Sequence, residues 1–403
     1  MSVIGKPVSR VDGPLKVTGG AKYAAEMHAP GLLYGFVISS AITKGRVRSI
    51  DAREALALPG VELVLTHDNR PHMPWFDRSY KDDDTRGGSP FRPLYDARVR
   101  FAGQPIALVV ASSLALARHA ASLVRVAYDC EPHDTELRAQ REQAFMPDSM
   151  MAPPQSRGDA ERALANAPLR VHGEYGTPAE HHNPMEPHAS TVIYEDDGAL
   201  TVYDKTQGVQ NAQRYLCKIF NLPREKVRVL SPFVGGAFGS GLRPQYQLVL
   251  AVMAARMLER SVRVALTRQQ MFTFGHRPET LQRVTLGASG DGELTAIVHE
   301  ALAETSRFEE YSENVVNWSG MLYRCDHVKL DHRLARIDAY TPLDMRAPGA
   351  ALGVFALEVA LDELAQLAGV DPLELRLRNI LREGDLLPTG VPAVSIGLED
   401  CLR

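Results

Sequence analysis

The stretch SPFVGGAFGSG, residues 231–241, sets four glycines within seven positions directly after the apolar run KVRVL, residues 226–230. Glycine loses more conformational freedom on folding than any other residue, so such density marks unusual dihedrals or a close approach to the backbone. The apolar run reads as a strand, and residues 245–258 read as a strongly apolar helix. Strand, glycines, helix is a setting in which backbone N–H groups commonly meet an anion. The spacing is not that of a dinucleotide fingerprint, since no GxGxxG falls at Gly236, Gly239 or Gly241, and no Lys-Ser/Thr pair makes a P-loop. Taken alone, the turn fits close helix–sheet packing as well as ligand binding.

Composition bounds the alternatives. A chain of 403 residues with 45% hydrophobic and 23% charged residues is globular and long enough for two or three domains. The net charge of -4 and the lack of basic runs interleaved with aromatics exclude nucleic acid as an obvious partner. Cys130, Cys217, Cys325 and Cys401 are far apart and form no CxxC pair for zinc or an iron–sulfur cluster. The opening MSVIGKPVSRVDGP has no apolar core or twin arginine, and nothing later approaches a membrane-spanning run, so a cytoplasmic chain is expected.

Outward from the glycines, residues 32–42 and 104–111 read as buried strands, each followed by a helical stretch, 51–58 and 114–124. Residues 72–93 are polar and rich in Gly and Pro, which predicts a surface loop. A compact α+β unit is expected over 1–130. Residues 131–159 lack a sustained period and read as a connection, so a second domain is expected over 131–403. Within it, 191–204 predicts a hairpin turning at 195–198, 209–220 a helix, 281–304 a second hairpin, and 351–368 a buried helix. Asp371-Pro372 starts one more helix, through 380.

Several strings in order resemble the molybdopterin-binding large subunit of the molybdenum hydroxylases, the family of xanthine dehydrogenase and aldehyde oxidoreductase. They are RVDGPLKVTGGAKYAAEMHAPGLLYGFVISS, FAGQPIALVVA, HHNPMEPHAS, KTQGVQNAQRYL, SPFVGGAFGSG, TPLDMRAPGAALGVFALEVALDELA and GVDPLELRLRN, and together they span nearly the whole chain. Gln207 and Phe238 are 31 positions apart, as in the family's pattern. The resemblance implies an α/β-hammerhead-like domain followed by the first half of a molybdenum cofactor-binding α+β domain. It also implies that Gln207, Gly235, Gly236, Ala237, Phe238, Gly239 and Arg346 line the molybdopterin cofactor, for which a cytosine dinucleotide is one form the resemblance allows. The metal would be held by the pterin dithiolene, so no protein metal ligand is expected.

HHNPMEPH holds three histidines and Glu186, but its two prolines prevent the helical spacing of a zincin, and the resemblance makes it a structural loop beside the cofactor. The family's glycine loop reads GGGFGGK, whereas Ala237, Ser240 and Gly241 stand here. Purine-handling members carry a glutamate four residues beyond the phenylalanine. Leu242 occupies that place, which favours aldehydes over purines.

The family's catalytic glutamate lies near the end of a much longer polypeptide, and no such motif occurs here, so no base is assigned. The expected function is oxidation of an aldehyde, or a heteroaromatic substrate, with water as the oxygen source. Expected partners are the second half of the molybdenum subunit, an iron–sulfur subunit and an FAD subunit. Two alternatives stand beside it: a truncated or split scaffold module without turnover, and an unrelated phosphate-binding enzyme using the glycine turn.

Overall fold

The computed structural model describes residues 3–78, 87–88, 90–147 and 153–403. Parts of the loop expected over 72–93 (79–86 and 89) and of the connection expected over 131–159 (148–152) lie outside the described residues. The mixed helix and strand content is that of an α+β protein. Contacts divide the chain into two compact units. The first comprises 1–82, 91–131 and 183–274, and the second 83–90, 132–182 and 275–403. No described helix is long and apolar enough to cross a membrane.

The first unit is built on a seven-stranded mixed sheet. Its strands run in the order Val227–Leu230, Leu200–Asp204, Ala189–Tyr194, Val262–Ala265, Leu33–Ser39, Pro105–Ala111 and Val61–Thr66. Pro105–Ala111 is buried at every position, as expected of a central strand covered on both faces. The Tyr246–Leu258 helix has ten consecutive buried residues, Tyr246 to Ala255, and packs on the two central strands Ala189–Tyr194 and Val262–Ala265. Burial of each large aliphatic side chain there is worth about 1.5–3 kcal/mol. A separate three-stranded sheet pairs Arg98–Val99, Gly45–Asp51 and Arg125–Cys130.

The second unit is a four-stranded sheet in the order Val328–Ile337, Leu294–Ser306, Thr280–Ala288 and Leu169–Thr177. The Ala350–Ala368 helix covers one face, burying Leu352, Leu357, Leu361 and Leu364 against Val284, Leu286 and Ile297. Asp371 caps the following Pro372–Asn379 helix, accepting from the N–H groups of Leu373 and Glu374.

One connection positions the site. Leu200–Asp204 and Val227–Leu230 pair in parallel, with Tyr203 opposite Leu230. Parallel neighbours need a crossover, and the Val209–Phe220 helix supplies it. Both strands therefore end on the same side of the sheet, where open α/β sheets place their ligands. Lys205-Thr-Gln207 leaves one strand end and the glycine stretch leaves the other, which accounts physically for the 31-residue separation.

Candidate functional site

Gln207 and the glycine stretch are joined by reciprocal hydrogen bonds. The Gln207 N–H donates to the Gly241 carbonyl at 2.8 Å. The Gln207 side-chain oxygen accepts from the N–H groups of Gly239 at 3.1 Å and Gly241 at 3.2 Å. With its oxygen so engaged, the amide NH2 has no hydrogen-bond partner among the described residues, and the residue is exposed. Gly241 packs tightly here: a Cβ would meet the Gln207 nitrogen at 3.0 Å, so the neighbour would have to give by a few tenths of an ångström.

Phe238 is the apex of the turn. Its φ of +57° is left-handed, a conformation that bulky residues rarely adopt, and at 47% exposure no core burial holds it there. Gly236 (φ +91°) and Gly239 (φ +110°) flank it with dihedrals only glycine adopts freely. Among the described residues, the backbone N–H groups of Gly236, Ala237 and Phe238 have no acceptor. Successive free N–H groups around a left-handed residue form an anion-binding concavity.

The turn is braced from beneath. Glu186 accepts from the Gly235 N–H at 2.7 Å, and burial raises its carboxyl pKa above the ordinary value. Lys205, 1% exposed, reaches Ser240 Oγ and His188 Nδ1, each at 3.3 Å. Burial draws its pKa down to about 8. The neighbouring Asp204 is buried and bonded to Ser190 at 2.5 Å, and desolvation pushes it up to about 7. Gln245 also spans His188 and the Ser240 carbonyl.

Arg346 lies in the second unit. It is exposed, and its carbonyl accepts from Arg277 at 2.8 Å. The next residue, Ala347, is left-handed at φ +60°. Gly349, whose N–H donates to Glu313 at 2.5 Å, precedes the Ala350–Ala368 helix. Glu313 is buried, and desolvation raises it to about 7. Arg346 thus stands on a strained turn held from within by Arg277 and Glu313.

Residues 143–380 match the model of the molybdopterin cofactor-binding domain. Residues 18–132 match that of the a/b hammerhead domain of aldehyde oxidase and xanthine dehydrogenase. The chain belongs to the molybdenum hydroxylase family. This molybdenum hydroxylase chain is 37% identical to the Escherichia coli (strain K12) aldehyde oxidoreductase molybdenum-binding subunit PaoC, over 94% of its own length and 50% of PaoC. It is 28% identical to the Eubacterium barkeri nicotinate dehydrogenase large molybdopterin subunit, over 100% of this chain and 95% of that one. The solved aldehyde oxidoreductase from Desulfovibrio gigas superposes with a TM-score of 0.82 at 26% identity, covering 98% of this chain and 45% of that one. The chain thus spans about half the length of several molybdenum hydroxylase relatives.

The residues present fit a molybdopterin cofactor. Three free backbone donors and the amide NH2 of Gln207 suit an anionic, oxygen-rich group that carries its own metal ligands. Lys205, Ser240, Arg277 and Glu313 went unassigned in the sequence. The one available signal was the polar run Asp204-Lys-Thr206, buried throughout, between a strand and the site.

Proposed function

We propose that this chain is the N-terminal half of the molybdenum-binding subunit of an aldehyde oxidoreductase-type hydroxylase, oxidising aldehydes to carboxylic acids with water as the oxygen source. The observation that carries the proposal is that the Gln207 side-chain oxygen is tied to the turn whose Gly236, Ala237 and Phe238 N–H groups have no acceptor among the described residues. When bound, the molybdenum cofactor would supply the two-electron redox chemistry. Gln207 donates a hydrogen bond to an oxygen of that group. The backbone over Gly235, Gly236, Ala237, Phe238 and Gly239 meets it closely, and Arg346 holds an anionic oxygen.

Leu242, 44% exposed, offers no hydrogen bond to a purine ring, which supports aldehydes as substrates. The cofactor's proposed form is the cytosine dinucleotide. The catalytic base, a glutamate, comes from a second half supplied by a partner chain; iron–sulfur clusters and FAD sit on further subunits, and the assembly works in the cytoplasm.

The test is to express the chain with and without a second half in a host that makes the cofactor, then measure pterin, molybdenum and aldehyde-dependent dye reduction. The proposal expects all three in the assembly. An assembly without pterin would refute it.

A further inference from the structure

A lysine almost never sits in a protein interior without a carboxylate beside it, because its ammonium must give up its water. Lys205 is 1% exposed; the nearby carboxyls of Glu186 and Asp204 favour its charge, but neither makes a hydrogen bond to it among the described residues. Its partners are Ser240 Oγ and His188 Nδ1. Ser240 Oγ in turn donates to the Ala237 carbonyl at 2.8 Å, and the Ser240 N–H donates to the same oxygen at 3.0 Å. The relay therefore runs from Lys205 through Ser240 to the peptide group joining Ala237 and Phe238.

That peptide group is planar and trans, so its C=O and N–H point in opposite directions. Tying the Ala237 carbonyl inward turns the Phe238 N–H outward. It also fixes the backbone entering Phe238, whose left-handed conformation needs the surroundings to hold it. We infer that Lys205 is a positioning residue for the cofactor: acting through Ser240, it holds the Ala237–Phe238 peptide so that the Phe238 N–H faces the cofactor. The cation thus acts from below the turn, at a strand end, while a Cβ at Gly241 on the turn itself would press on the Gln207 nitrogen at 3.0 Å. This inference rests on the reading of the glycine turn as a molybdopterin site.

The experiment is a double-mutant cycle on the full chain assembled with its partner half, using Lys205→Met, Ser240→Ala and the pair. Three quantities are read: molybdenum and pterin per chain, the molybdenum EPR spectrum of the retained cofactor, and the thermal midpoint of the cofactor-free protein. Lys205→Met should lower cofactor content roughly fivefold, the effect of losing one hydrogen bond of ordinary strength. It should also alter the EPR line shape; because Glu186 and Asp204 lose a nearby cation, the cofactor-free midpoint falls as well, and the loading of the folded protein is the deciding reading. Ser240→Ala should act in the same direction, and the double variant should be no worse than Lys205→Met alone.

Wild-type loading and spectrum in Lys205→Met would overturn the inference, as would strictly additive losses. If Lys205→Met fails to fold, Ser240→Ala decides: reduced loading at an unchanged midpoint supports the relay, and unchanged loading refutes it. Absence of pterin from the wild-type assembly is a different failure, that of the cofactor site itself.

Discussion

Gln207 and Gly241 exchange hydrogen bonds in both directions, backbone N–H to carbonyl at 2.8 Å and backbone N–H to side-chain oxygen at 3.2 Å. The amide of Gln207 is thereby divided, its oxygen serving the turn and its nitrogen without a partner among the described residues. Gln207→Glu keeps the acceptor and removes the donor. In the assembled enzyme it should fold with an unchanged thermal midpoint and lose about a hundredfold or more in kcat, the usual effect of removing a donor to developing charge. Retention of wild-type turnover would show that the amide NH2 has no part in the chemistry.

Gly241→Ala tests the turn without touching the Gln207 side chain. The added Cβ would press on the Gln207 backbone nitrogen at 3.0 Å, so the two strand ends must separate. Urea unfolding should show a loss of about 1–3 kcal/mol, as for other overpacked sites. Pterin content should fall in parallel.

Arg277 and Arg346 form a second test. Arg277 donates to the Arg346 carbonyl at 2.8 Å and steadies the strained turn at Ala347. Arg346→Ala should lower molybdenum per chain without a change in thermal midpoint, because the guanidinium is exposed. Arg277→Met should lower both, since Arg277 is buried and its loss releases the turn. Metal analysis beside a thermal melt separates the two outcomes.

How far the sequence carries can be judged from these residues. The helices Val209–Phe220 and Ala350–Ala368 and both hairpins were legible because apolar spacing and turn residues are local signals. The strands Gly45–Asp51, Val262–Ala265 and Val328–Ile337 went unassigned. Val262–Ala265 has four residues and is a strand only because Ala189–Tyr194 and Leu33–Ser39 lie on either side. Val328–Ile337 carries Asp331, His332 and Arg333 in mid-run, and its partner, Leu294–Ser306, is parallel, with no tight turn to mark the pairing. At the site, the spacing of Gln207 and Phe238 was readable through the resemblance. Burial of Lys205 was not, because a lysine's location depends on what the rest of the chain closes over it.

His299 and His332 give the fold a pH dependence. Both are fully buried, and desolvation depresses them to about 3 and about 4. They stay neutral in the folded chain, whereas the unfolded chain takes up protons near pH 6.5, so their contribution is complete above 6.5 and is lost as pH falls toward 4. Buried Asp204 and Glu313, both raised to about 7, favour the folded state in the opposite direction as pH falls, so the wild-type profile alone blends the two.

His332→Leu isolates one contribution, because neither ring nitrogen of His332 has a hydrogen-bond partner among the described residues. Urea unfolding at pH 7 and pH 4.5 should show the variant gaining on wild type by about 2 kcal/mol at the lower pH. An unchanged gap would mean that His332 is protonated in the folded state.

The need for a second half is tested by comparing aldehyde oxidation by the purified 403-residue chain alone with that of the chain combined with a second half, using an artificial electron acceptor. No turnover is expected from the chain alone, even with molybdenum cofactor supplied. Turnover is expected from the combination, and none when the partner half carries glutamine in place of its motif glutamate. Turnover by the chain alone, constant through every purification step and abolished by Phe238→Ala, would contradict the account and place a catalytic base within these residues.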